Sequence, residues 1–278
     1  MGGSVTKVWL DGVVHEGPAA RVSVFDHALL TGDGVFETLR VYGGVPFAVR
    51  RHLDRLGRSA AGMRLPVPDP GVLRAAMDEV VAANDLSDGR LRITVTGGPG
   101  PLGSDRGGDE PTVIVVGGPM PAWPATTDVV VVPWPRNERG ALVGLKTVSY
   151  GENVVALAHA RDLGAGEAVF GNLAGNLCEG TGTNVFVGVG GRLLTPPLSS
   201  GCLPGVTRDL LLELLPVVEE DLPLAALASV DEAFVTSSTR EVQPVRAVDG
   251  RSLPLAPGPL TCAASAVFAA LVGRDLDP

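Results

Sequence analysis

The chain holds 22 Lys plus Arg residues, and only Lys7 and Lys146 are lysine. A desolvated ammonium can lose its proton and attack a carbonyl, whereas a guanidinium stays charged, so a lysine kept in an arginine-rich chain points to Schiff-base chemistry. The ordinary alternative for Lys146, in "GLKTVSYGENVVALAHARD", is a lysine snorkelling at a strand end; Lys7 in "VTKVWLDG" has that reading alone. If Lys146 held an aldehyde cofactor, a phosphate on it would need an anion cradle and a ring nitrogen would need a carboxylate. In "CLPGVTRDLLLELL", Gly205, Val206 and Thr207 precede a helix whose buried stripe is Leu210, Leu211 and Leu214. Backbone N–H groups and a hydroxyl therefore converge at its N-terminus, unless Thr207 is simply an N-cap. In "FVTSSTREVQP", the hydroxyls of Ser238 and Thr239 end an apolar strand and offer a second anion contact or an ordinary hydroxyl turn. Glu179 in "GNLCEGTGTNVFV" has no lysine nearby. It suits either a protonated ring nitrogen or a place on the surface of a hairpin.

These groups need a scaffold, and the pattern gives one in two parts. "VTKVWLDGVV" reads as a hairpin turning at Asp11-Gly12, and "VFETLRVYGGVPFAV" as another turning at Gly43-Gly44. "HLDRLGRSAAGMRL" spaces Leu53, Leu56, Ala60 and Met63 by three and four, with Arg51, Arg55 and Arg58 on a separate stripe, which predicts an amphipathic helix. A second helix in "PGVLRAAMDEVVAAN", a strand in "GRLRITVTGG", the loop "GPGPLGSDRGGDEP" and a strand in "TVIVVGG" complete a small α+β domain over residues 1–117. The proline-rich "PMPAWPATTD" reads as a linker over 118–127. Residues 128–278 form a larger domain with helices in "ENVVALAHARDLGA", "RDLLLELL" and the C-terminal segment, and strands in "VVVVPW", "EAVFGN", "NVFVGV", "RLLTPP" and "EAFVTS". The class is α+β or α/β in two domains.

Composition narrows the partners. Hydrophobic residues at 45% with 19% charged fit a compact, enzyme-like globule rather than a disordered chain. A net charge of -9 and a pI near 4.9 argue against nucleic acid, which needs a basic face. Cys178, Cys202 and Cys262 have no metal-ligand or disulfide-framework spacing, and the four histidines have none either, so no metal is expected and the reducing cytoplasm is the expected compartment. The start of the sequence lacks the pattern of a signal peptide, and the apolar run "LTCAASAVFAALV" is too short to span a bilayer, so no membrane partner is expected.

Taken together, "GDGVFETLRVYGG", "HLDRLGRSA", "LKTVSYGENVVAL", "GNLCEGTGTNVFV", "LLTPPLSSGCLPGVTRDLLLEL" and "VTSSTREVQPVRAVDG" make the chain resemble, nearly end to end, the fold type IV pyridoxal-phosphate enzymes. These are the class IV aminotransferases, among them branched-chain and D-amino acid aminotransferases and aminodeoxychorismate lyase. The resemblance implies a small N-terminal α+β domain and a larger C-terminal domain with a central β-barrel-like sheet. It also implies a pyridoxal 5′-phosphate cofactor, and a homodimer with its active site near the interface. Lys146 would be the Schiff-base lysine and proton shuttle, and Glu179 the partner of the pyridine nitrogen. Arg55 would ion-pair with the phosphate, Val206, Thr207, Ser238 and Thr239 would complete its cradle, and Tyr150 would lie near the phenolic oxygen.

The substrate side departs from the subfamily patterns. The tyrosine, arginine and histidine with which the D-amino acid enzymes trap a carboxylate fall here on Leu29, Leu102 and Ser104. Arg92 matches an arginine of the branched-chain enzymes, Arg40 and Arg106 are further candidates for a carboxylate, and Leu29 and Phe36 are candidates to line the pocket. The expected activity is ping-pong transamination from a D-amino acid or (R)-amine to a 2-keto acid. Aminodeoxychorismate lyase and branched-chain L-amino acid transaminase are the alternatives.

Overall fold

The computed structural model describes residues 6–108 and 110–278. They form two compact units: one runs to Pro121 and includes Leu145–Tyr150 and Asp275–Pro278, and the other comprises Ala122–Gly144 and Gly151–Arg274.

In the first unit the elements are β1 (Lys7–Leu10), β2 (Val13–Glu16), α1 (His27–Thr31), β3 (Gly34–Tyr42), β4 (Val45–Pro46), α2 (Val49–Gly62), α3 (Pro70–Ala83), β5 (Gly89–Thr96) and β6 (Val113–Gly118). Both expected hairpins are present, and each turns on two residues of positive φ, Asp11 with Gly12 and Gly43 with Gly44. That is the twist a two-residue hairpin loop requires. The strands make an antiparallel sheet in the order β2-β1-β6-β5-β3-β4. Alternation along the strands sends Val35, Leu39, Val41, Leu91, Ile93, Val95, Val113 and Val115 to one face. There Leu53, Leu56 and Ala60 of α2 and Leu73, Ala76, Met77 and Val80 of α3 cover them.

Leu145–Tyr150 joins this unit through main-chain pairing with β3. The Phe36 N–H donates to the Lys146 carbonyl at 3.0 Å and the Val148 N–H to the Gly34 carbonyl at 2.9 Å. Asp275–Pro278 docks on the start of α2, whose N-cap residue Ala48 has no side-chain acceptor. In its place the Leu276 carbonyl accepts the Ala48 N–H at 2.7 Å and the Asp277 carboxylate accepts the Arg50 N–H at 2.8 Å.

The second unit contains β7 (Thr127–Val131), α4 (Gly151–Asp162), β8 (Glu167–Gly171), β9 (Leu177–Gly180), β10 (Asn184–Val189), β11 (Arg192–Thr195), α5 (Val206–Leu214), β12 (Val217–Glu219), β13 (Glu232–Ser237), β14 (Glu241–Val248), β15 (Arg251–Ser252) and α6 (Pro259–Arg274). Its sheet is mixed, in the order β12-β11-β10-β13-β14-β7-β8-β9, with β15 paired to β14. The β14-β7, β7-β8 and β11-β12 pairs are parallel. Val129, Val169, Val185, Val187, Ala233, Val235 and Val245 share one core cluster. The first turn of α6 is held by buried Glu232, whose carboxylate accepts the N–H groups of Leu260 and Thr261 and the Thr261 hydroxyl at 2.6–3.0 Å. No helix among the described residues is long and apolar enough to cross a membrane.

Candidate active site

Lys146 is half-buried, and its main chain is clamped on both sides. The Ser59 hydroxyl, on α2, accepts its N–H at 3.0 Å, and β3 takes its carbonyl. The amine lies 4.4 Å from the centroid of the Phe36 ring and 3.5 Å from the Tyr150 hydroxyl, and the two rings meet edge to face with centroids 5.1 Å apart. The Arg92 guanidinium stacks on the same Phe36 ring at 3.7 Å, and its Nε donates to the Thr94 hydroxyl. Burial lowers the Arg92 pKa, with Tyr150 acting in the opposite sense. Phe36, Arg92, Lys146 and Tyr150 thus stand together in one unit. Lys7, by contrast, makes a surface pair with Glu16.

Beneath this group lies a charged cluster that pattern reading passed over. Glu37, fully buried on β3, receives two N–H groups of Arg55 at 2.7 and 2.6 Å and lies 2.7 Å from His52 Nδ1. Burial acts to raise the Glu37 pKa, but Arg55 and His52 overcome it and hold the carboxyl far below its usual range. His52 is shifted down, first by burial, with Glu37 opposing and the charges of Arg55 and Lys146 adding to the fall. Arg55, expected to meet a phosphate, is bidentate to Glu37 in this structure. The signal was present in the sequence: Val35, Glu37, Leu39 and Val41 share a parity, so a glutamate stands at an inward position.

The remaining arginine candidates have definite partners. Arg106 commits four of its five N–H bonds to the two oxygens of Asp33 and the carbonyls of Met63 and Arg64, at 2.5–2.7 Å, which makes it a strut of the Gly/Pro-rich loop. Arg40 lies over the Tyr42 ring, with its guanidinium at the Met120 sulfur and 3.7 Å from Asp88. Leu29 and Leu102 are 70% and 75% exposed.

Glu179 belongs to the second unit, on β9. No lysine was expected near it, and the cation beside it is an arginine: Arg136 Nε lies 3.2 Å from one carboxylate oxygen, while the Leu203 N–H donates to the other at 2.9 Å. Arg136 itself rests on the Phe170 ring at 3.9 Å. No spacing signal leads from residue 136 to residue 179; the parallel pairing of β7 with β8, the Arg136–Asn172 bridge beyond it and the antiparallel pairing of β8 with β9 bring them together. Burial first, and then the Glu179 charge, raises the thiol pKa values of Cys178 and Cys202, the latter to about 11, so both thiols are poor nucleophiles near neutral pH.

The N-terminus of α5 carries no side-chain cap. Its N-cap is Gly205, and Thr207 lies inside the helix and is buried, which removes the simple N-cap reading of that threonine. A Cβ at Gly205 would come within 2.0 Å of Asn184 Oδ1, so the bare backbone there is required by close packing. Nearby on β13, the buried Thr236 hydroxyl has no hydrogen-bond partner among the described residues. Ser238 and Thr239 form the turn between β13 and β14, where the Ser237 hydroxyl accepts the Arg240 N–H. The first unit offers an amine, and the second an anchored carboxylate and an uncapped helix start; each by itself is a donor of a kind that fits a phosphorylated pyridine aldehyde.

Comparison with known proteins agrees. The profile of the class IV amino-transferase family matches residues 34–248. A putative branched-chain-amino-acid aminotransferase of Methanocaldococcus jannaschii is 37% identical over 258 residues, 88% of each chain. A D-alanine aminotransferase of Bacillus licheniformis is 31% identical over 92% of this chain and 93% of its own. Among solved structures, the T.th. branched-chain amino acid aminotransferase with pyridoxamine 5′-phosphate superposes with a TM-score of 0.89 at 26% identity, covering 98% of this chain and 95% of that one. A putative 4-amino-4-deoxychorismate lyase of Legionella pneumophila gives 0.86 at 25% identity, covering 91% and 96%. The fold expected from the resemblance is the fold these structures share, and the cofactor of such enzymes is pyridoxal 5′-phosphate. With the family profile running from the strand under the lysine to the strand that follows the hydroxyl turn, this protein belongs to the class IV aminotransferases.

Proposed function

We propose that Lys146 holds pyridoxal 5′-phosphate covalently and carries the proton at the substrate α-carbon while an amino group passes from an amino acid to a 2-keto acid. The observation that supports this most strongly is the setting of the amine, with its main chain clamped by Ser59 and β3 and its Nζ beside Phe36 and Tyr150. When bound, the cofactor supplies an aldehyde for the covalent link and a ring that accepts the electron pair released at the α-carbon. Glu179, fixed by Arg136 and Leu203, presents its carboxylate to the ring nitrogen and favours its protonated form. The Val206 and Thr207 amides, the Ser238 and Thr239 hydroxyls and the Arg55 charge hold the phosphate. Tyr150 orients the Lys146 amine, and Arg92 meets a substrate carboxylate.

For the donor we propose a branched-chain L-amino acid, in preference to the D-amino acid or (R)-amine expected from the sequence. The relative of highest identity quoted above bears that name, and the carboxylate trap of the D-enzymes is replaced by Leu29, Leu102 and Ser104. The D-amino acid reading stands second, supported by the D-alanine aminotransferase relative. A homodimer is part of the proposal, because Val22, Val24, Phe25, Leu29 and Leu102 of the first unit are all exposed apolar residues.

Purified protein loaded with pyridoxal 5′-phosphate, and dimeric by light scattering, is expected to convert L-leucine only when 2-oxoglutarate is present, and faster than D-alanine. Faster turnover of D-alanine would reverse the order of the two readings. Release of p-aminobenzoate and pyruvate from aminodeoxychorismate with no keto-acid-dependent turnover would make it the lyase.

A further inference from the structure

A buried ion pair in the second unit joins two turns, the one that follows Glu179 and the one that carries Ser238 and Thr239. Its members are Glu167, on β8, and Arg240, between β13 and β14; they lie 3.4 Å apart, and their side chains are only 2% and 7% exposed. One Glu167 oxygen accepts the Thr181 N–H at 3.1 Å and the Thr181 hydroxyl, and the Thr183 hydroxyl donates at 3.3 Å to the oxygen that faces Arg240. The carboxylate thereby fixes the turn between β9 and β10. Arg240 donates to the Gln243 side-chain oxygen and, at 2.9 Å, to the Gly166 carbonyl, and its guanidinium lies 4.0 Å from the centroid of the Trp123 ring. A guanidinium this dry needs an anion beside it. Burial lowers the Arg240 pKa, with Glu167 opposing and Arg161 adding to the fall.

The turn that carries Ser238 and Thr239 is not held by its own backbone preferences. Glu241, next to Arg240, has a φ of 57°, in the left-handed region that a glutamate keeps only where its surroundings enforce it. The Ser237 hydroxyl accepts the Arg240 N–H at 3.0 Å, and the Arg240 side chain anchors the same residue to Gly166 and Glu167. On β13, Thr236 faces Asn184 across the β10-β13 pair, and the Asn184 side chain donates to the Leu203 carbonyl and packs against Gly205 at the start of α5. The turn thus ends the strand that reaches the uncapped helix. We propose that Arg240 is a positioning residue, which with Glu167 fixes the Ser238–Thr239 turn so that its hydroxyls receive the phosphate of the cofactor. It acts through the turn, because its own donors are directed to Gln243, Gly166 and Glu167. The role rests on the cofactor reading of Lys146 and adds to it a dependence of phosphate binding on a side chain that does not touch the phosphate.

Cofactor binding, rather than turnover, reports this role. The cofactor is removed from the purified holoenzyme and titrated back by absorbance, once as pyridoxal 5′-phosphate and once as pyridoxal, which has the same aldehyde and no phosphate. In Arg240→Gln the dissociation constant of pyridoxal 5′-phosphate is expected to rise about 10- to 100-fold, the range for one charge-assisted contact, and that of pyridoxal by less than about threefold. Arg240→Lys keeps the charge without the planar fork and should recover part of the loss. Trp123→Leu, at a residue 42% exposed, removes only the stacked ring and tests the role even where Arg240→Gln fails to fold. It should weaken pyridoxal 5′-phosphate by about two- to fivefold and leave pyridoxal unchanged. Equal losses for both compounds, or unchanged affinity for pyridoxal 5′-phosphate in the folded variants, would overturn the assignment and leave the cofactor reading standing. A native protein that binds neither compound at Lys146, or binds pyridoxal as tightly as its phosphate, would overturn the cofactor reading itself, and the Arg240 role with it.

Discussion

At Glu37 a single carboxylate organises two partners in a dry site. Its pairing with Arg55 and His52 joins α2 to β3, and Ser59, on the same helix, holds the Lys146 main chain. Removing one member of a buried pair strands the other, so Glu37→Ala should cost about 3–5 kcal/mol. Urea unfolding would show this as a lower midpoint with an unchanged slope. His52 adds a pH term. Its pKa is lowered from 6.5 in the folded chain, so below that pH the unfolded chain takes up a proton that the folded chain refuses. Its contribution to stability is therefore complete above pH 6.5 and declines as pH falls, with a slope of up to about 1.4 kcal/mol per pH unit. The difference between the stability-pH curves of the native chain and His52→Gln should show this decline; parallel curves between pH 7 and 5 would refute it.

The elements of the first unit follow from local rules. Hairpins at Asp11-Gly12 and Gly43-Gly44, the three-and-four spacing of Leu53, Leu56 and Ala60, and the alternation of β5 are all visible in the sequence because each is decided by neighbours within a few residues. β14 was harder to see. Pro244 argues against a central strand, yet β14 pairs with both β13 and β7, with a shift in register between Val245 and Ala247. The Arg136–Glu179 pair and the capping of α2 by Asp277 join residues far apart in sequence, and no periodicity reports such contacts. The Glu232 cap of α6 is another of this kind. Glu232→Ala leaves two N–H groups and a buried hydroxyl without their acceptor, so it should lower stability by about 1–3 kcal/mol. Hydrogen exchange should show faster opening at Leu260 and Thr261 than in the core strand β10. Unchanged protection there would contradict the capping role.

For the whole molecule, net charge and composition argue against a nucleic-acid partner without naming a reaction; the reaction came from a few residues whose company was informative. Lys146 is the centre of that group, and its identity as the attachment point is the claim from which the others descend. The most direct test is borohydride reduction of the protein saturated with pyridoxal 5′-phosphate, followed by peptide mass mapping, with Lys146→Ala in parallel. A reduced phosphopyridoxyl adduct on the peptide containing Lys146, absent from the variant, is the predicted result. An adduct confined to Lys7, or no adduct on a protein that still catalyses amino transfer, would contradict it.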